Sequence, residues 1–64
     1  MTYAEHTKHF ARGARACRAI LRRGDLGFAQ AHLRAMEETR NLSPTRRAYL
    51  SGYRTTFILR TRKP

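Results

Sequence analysis

Residues 8–23, KHFARGARACRAILRR, constrain the fold more than any other stretch of the chain. They hold six of its fourteen Lys and Arg residues and no Asp or Glu. At about 100° per residue, Tyr3, Phe10, Ala14, Cys17 and Leu21 gather on one helical face, with Ile20 at its edge. Lys8, Arg12, Arg15, Arg18 and Arg22 gather opposite, in a stripe about 21 Å long at 1.5 Å per residue. A segment divided in this way is an amphipathic helix whose apolar side belongs to a core.

Local signals set its ends. Thr2-Tyr3-Ala4-Glu5 is a capping box, in which Thr2 accepts from the Glu5 amide and the Glu5 side chain reaches back to the Thr2 amide. Gly24 supplies the left-handed position after the helix, and Arg22 and Arg23 sit favourably against the C-terminal end of its dipole. Gly13, inside the helix, costs about 1 kcal/mol relative to Ala. It marks either the close approach of another helix or nothing of consequence.

Asp25 is the N-cap of a second helix, so the connection is a residue or two and the first two helices are antiparallel neighbours. This helix is predicted to run to about Arg40. Leu26, Ala29, Leu33 and Met36 form one stripe and Phe28, His32 and Ala35 a second, as a middle helix with two packing partners needs. Asn41 suits a left-handed C-cap, Leu42 a hydrophobic staple, Ser43 the next N-cap and Pro44 the first helical position. The third helix places Tyr49, Leu50, Tyr53 and Phe57 on one face and Arg47 and Arg54 on the other. Residues 55–61 are β-branched and aromatic enough for a strand, but Phe57 continues the stripe and favours helix. The expected fold is all-α: a small antiparallel three-helix domain, with helices near 2–23, 25–40 and 44–60. Residues 1–64 form one basic domain, with 61–64 a mobile basic tail.

Sixteen large apolar or aromatic side chains, with no Val and no Trp, make a thin core for 64 residues. A chain this short buries only roughly 60% of the surface that its unfolded form exposes. Phe28, Ile58 and Leu59 look surplus to one bundle, which suggests a homodimer. The lone Cys17 forms no intrachain disulfide and fits a reducing, cytoplasmic setting. No apolar run approaches the roughly 20 residues that span a bilayer, and no membrane partner is expected. Residues 6–23 share the acid-poor, Arg-rich look of a mitochondrial transit peptide, but removing them would leave too little to fold.

The net charge of +10 points to a polyanion. Lys8/Arg12, Arg12/Arg15, Arg15/Arg18 and Arg18/Arg22 repel by a few tenths of a kcal/mol per pair, and no acid on that helix beyond Glu5 offsets them. An uncompensated stripe makes sense if a polyanion completes it; the plainer reading is a solvated face. Arg46 and Arg47, in the first turn of the third helix with its free amides and the Ser43 and Thr45 hydroxyls, would form a second anion site; the plainer reading is two surface arginines of no consequence. The expected function is non-enzymatic nucleic-acid binding, DNA rather than RNA, through Lys8, Arg12, Arg15, Arg18, Arg22, Arg46, Arg47 and Arg54. The alternative is a small accessory or inhibitor protein, of phage or plasmid type, that docks on an acidic protein surface through Phe28, Tyr49, Tyr53 and Arg54.

The turn at 41–44 resembles the one that enters the recognition helix of a helix-turn-helix protein. Glu37 and Arg47 depart from that pattern, standing where a small residue and a buried aliphatic belong. Tyr49 and Tyr53 could stack on unpaired bases or fill the core. His6, His9, His32 and Cys17 lack paired cysteines and an HExxH spacing, so neither a metal nor another cofactor is expected. No Gly-rich phosphate loop is present, and Glu37 and Glu38 point to different sides of a helix. The chain carries no evident catalytic set.

Overall fold

The computed structural model describes residues 2–62. Three helices follow one another: α1, Tyr3–Arg22; α2, Leu26–Glu38; and α3, Pro44–Thr61. The caps are where local chemistry puts them. The Thr2 hydroxyl accepts from the Glu5 amide at 3.2 Å. The Glu5 carboxylate accepts a hydrogen bond from that same hydroxyl at 3.2 Å, in place of the Thr2 amide. Asp25 accepts from Phe28 N–H at 3.1 Å, and Ser43 from Arg46 N–H at 3.2 Å. At the end of α1, Gly24 takes φ +78°. Gly24 N–H then donates to Leu21 O at 3.0 Å and Asp25 N–H to Ile20 O at 3.4 Å, the paired bonds of a Schellman motif.

α2 ends two residues earlier than the sequence predicts. The Thr39 hydroxyl donates to Ala35 O at 2.8 Å and the Thr39 backbone turns extended, so the last turn is closed by a side chain. Asn41 does adopt a left-handed φ of +59°, but in the connection and not as the helix stop. Residues 55–61 are helical. Of the expected mobile tail, Lys63 and Pro64 lie outside the described residues; Thr61 is still helical and Arg62 is its C-cap.

α1 and α3 run parallel, because two antiparallel steps restore the direction. His6 lies beside Pro44 and Ser51, Phe10 against Gly52, and Leu21 beside Arg60. This pair forms the main packing interface, and α2 is held less closely by both. The reason is glycine. A Cβ on Gly13 would meet Tyr49 C at 2.8 Å and Tyr53 N at 2.9 Å. A Cβ on Gly52 would meet Phe10 C at 2.7 Å and Phe10 Cα at 3.1 Å. Each helix lodges a carbonyl, of Tyr49 or of Phe10, in the notch left by the other helix's glycine. Ala48 and Cys17, four residues from Gly52 and Gly13, are buried in the same seam. Small residues at this spacing let helix backbones approach.

The core that remains is small: Cys17, Leu33 and Tyr53, with Ala29 and Ala48 filling the gaps and Ile20, Leu21, Met36, Leu50 and Phe57 around them. Tyr53 is fully buried, and its hydroxyl donates to Ala29 O at 3.0 Å, tying α3 to α2. The second stripe expected on α2 does not form a packing face. Phe28 is 54% exposed and Ala35 is exposed; His32 alone is half-buried. The close α1–α3 pair leaves α2 one groove to fill, and Ala29, Leu33 and Met36 fill it. Tyr3, placed with the apolar face by its spacing, is 87% exposed. α3 begins level with His6, so the first turn of α1 projects past it.

Gly13→Ala and Gly52→Ala are each expected to destabilise by about 1–3 kcal/mol or more, because the obstacle is backbone and cannot rotate away. Gly27→Ala, on an open face of α2 with nothing within 4 Å of the added Cβ, is expected to stabilise by roughly 0.5–1 kcal/mol. Urea denaturation of the three variants reads the opposite signs.

Burial pushes the Tyr53 phenol up from 10.0 to about 12. The neutral phenol is therefore favoured by the fold. The associated stability is whole below pH 10 and is lost as pH rises towards 12, on the order of 2–3 kcal/mol. Tyr53→Phe is expected to cost about 1 kcal/mol at neutral pH and to remove this alkaline loss. Thermal melts between pH 8 and 12 measure both.

Candidate nucleic-acid interface

Lys8, Arg12, Arg15, Arg18 and Arg22 all stand exposed on the side of α1 turned away from Gly13 and Cys17. Their place follows from the interlock: the opposite face is occupied by α3, so the cations have only the outer face. The chain's four acids are at Glu5, Asp25, Glu37 and Glu38. Glu5 and Asp25 serve in caps, and Glu37 lies 3.7 Å from Arg54. Among the described residues no carboxylate is within ion-pair distance of the α1 stripe. Its self-repulsion is therefore relieved only by solvent and salt.

α3 extends the charged surface at two places. Arg60, near the end of α3, lies beside Arg18, Leu21 and Arg22. Sequence reasoning passed over Arg60 as a phosphate contact, because its place depends on the parallel register of α1 and α3, which no local signal reports. At the other place Arg12 lines a cleft together with Arg46. Arg47, one residue later and so about 100° around the helix, lines a different, shallow groove with His6, Pro44 and Ser51. Arg54 stands apart, against Glu37. The structure thus joins six of the eight sequence-selected cations, adds Arg60, and sets Arg47 and Arg54 on separate faces.

The amide site expected at the start of α3 is largely used up. Pro44 has no N–H; Arg46 N–H is taken by the Ser43 hydroxyl at 3.2 Å, and Arg47 N–H by Ser43 O at 2.9 Å. What that turn still offers an anion on the cleft is the Arg46 side chain and Thr45, with its backbone N–H and hydroxyl.

The cleft, about 380 Å³, opens between all three helices. His9 and Arg12 come from α1, His32 and Met36 from α2, and Arg46 and Tyr49 from α3, with Leu42 of the connection at its edge. Aromatic rings run inward from it. His32 meets Tyr53 edge-on with centroids 5.3 Å apart, and Tyr49 stacks over Tyr53 at 6.4 Å. On its outer side His32 lies parallel to Phe28 at 6.0 Å.

Of the residues named for protein docking, Tyr53 offers no surface at all, Tyr49 lines the cleft, and Arg54 is engaged by Glu37. Only Phe28 is free and exposed, so the four make no common patch. His9 and His32 share the cleft while Cys17 is enclosed in the core, and among the described residues no three metal-ligating side chains converge. Burial pushes both the Cys17 thiol and the Tyr53 phenol up, away from reactive ionised forms. Comparison with known proteins finds no matching family model, no similar curated protein and no similar solved structure.

Proposed function

We propose that this is a non-enzymatic nucleic-acid-binding protein that holds the phosphate backbone, of DNA in preference to RNA, along the outer face of α1. The observation that carries this reading is the uncompensated stripe: five cations on one exposed face, with no carboxylate within ion-pair distance of them among the described residues. About 21 Å of stripe corresponds to roughly six base pairs of rise at 3.4 Å each. Arg60 and Arg46 widen the charged surface beyond a single line of contacts. Arginine suits this use, since its planar fork holds phosphate oxygens in pairs. The rival, an acidic protein surface, would use the same stripe but gains no hot spot from Phe28, Tyr49, Tyr53 and Arg54. Leu26, Phe28, Ile58 and Leu59 remain about half exposed or more, and a homodimer would find apolar side chains among them to cover.

With about six phosphates neutralised on duplex DNA, log K is expected to fall against log salt with a slope near −5. Arg15→Glu with Arg18→Glu is expected to weaken binding about tenfold or more, alike for all sequences. Fluorescence anisotropy between 50 and 300 mM salt measures both. A slope near zero, or no binding at low salt, rules the reading out, and a complex from lysate that survives nuclease treatment favours the protein partner.

A further inference from the structure

The cleft at the edge of the stripe has a chemistry that phosphate binding alone does not call for. Its two cations come from different helices, Arg12 from α1 and Arg46 from α3, and converge on one concavity. The same concavity is lined by flat and apolar groups: His32, Tyr49 and Met36. Tyr49 is half-buried, and its ring is backed by Tyr53, so the surface it offers is firm. A bare inorganic anion would have no use for this lining, and a purely apolar ligand none for the arginines. A nucleotide has both parts, a phosphate and a flat ring with two π faces. At about 380 Å³ the cleft lies near the lower end of the roughly 300–1,000 Å³ usual for small-ligand sites. That is room for one nucleotide and too little for a base pair with its backbones.

We infer that the cleft receives a single unpaired nucleotide of the bound strand, with its phosphate between Arg12 and Arg46 and its base against Tyr49 and His32. The inference rests on the phosphate-backbone reading above and narrows it: the preferred partner is single-stranded. Arg12 belongs to the stripe and to the cleft alike, so a strand laid along α1 passes the mouth of the cleft. In a duplex the bases are stacked and paired, and reaching the cleft would first require unpairing. Electrostatics alone runs the other way, since duplex DNA has the higher charge density and the steeper salt slope. A preference for single strands therefore reports on the bases.

The test compares three labelled 12-mers at one salt concentration: duplex DNA, the single strand, and a single strand whose central sites are abasic. The single strand is expected to bind at least about fivefold tighter than the other two, the lower range of one base stacked on an aromatic ring. Arg12→Gln with Arg46→Gln is expected to abolish that advantage. Arg15→Gln with Arg18→Gln removes the same charge but should weaken all three ligands by a common factor. Equal binding of the three 12-mers to the wild-type chain overturns the inference and leaves backbone binding standing. Absence of binding to any of them at low salt removes both. A titration with deoxyadenosine monophosphate separates the two sources of a nucleotide. If it shifts the His9, His32 and Tyr49 ring resonances while the strands show no base-dependent advantage, the cleft is a small-molecule site and the strand-borne assignment is wrong.

Discussion

The structure depends on two backbone carbonyls, Tyr49 O and Phe10 O, each seated where the facing helix has a hydrogen in place of a side chain. Helical glycine is unfavourable by about 1 kcal/mol at each site. What offsets this is approach. At such distances a carbonyl faces a Cα hydrogen, a contact of about 0.5–1 kcal/mol, and the small side chains along the seam close up around it. Few residues are fully enclosed in this domain, and Cys17 and Tyr53 are the largest of them. With so little apolar volume to bury, close backbone packing does work that large side chains do in longer chains.

That same interlock dictates where the charge goes. Once α3 covers Gly13 and Cys17, the cations of α1 can only face outward. The parallel direction also brings like helix ends together: Arg22 and Arg23 at the end of α1, Arg60 and Arg62 at the end of α3. Two carbonyl-rich C-termini side by side concentrate negative partial charge, and cations in the last turns oppose it. The basic end of the molecule is therefore in part a requirement of the fold. The part of the α1 stripe at Lys8, Arg12 and Arg15 lies away from the helix C-terminus and has no such structural reason.

Features set by neighbouring residues are legible in the sequence. Thr2, Gly24, Asp25, Ser43 and Pro44 act within a turn of where they stand, and each does what its chemistry implies. The amphipathic division of α1 is legible for the same reason. Thr39 is a near miss, since a hydroxyl bonding back four residues ends α2 before the Asn that invites the stop. What is not legible depends on register between helices. Gly52 carries no local mark that distinguishes it from an incidental glycine, although it answers Gly13 across the seam. The spacing of Phe28 and Ala35 is right for a face, yet a close α1–α3 pair leaves that face uncovered. Arg46 and Arg47 look like one site in the chain and are two sites in space, because consecutive helical residues never share a face.

Charge by itself selects poorly among polyanions, since a solvated cationic stripe attracts DNA, RNA and acidic proteins through the same screened field. Selection needs a feature with shape. In this domain one concavity lies where the outward stripe meets the junction of all three helices at Arg12. There a concavity is left, because α2 packs through the large side chains of Leu33 and Tyr53 and less closely than α1 and α3, which meet at their glycines. A tighter α2 would close the cleft and improve the core; a looser α1–α3 seam would carry Arg46 away from Arg12. The unequal packing of the three helices, which makes the domain look under-filled, is thus also what leaves a concavity beside the charged face.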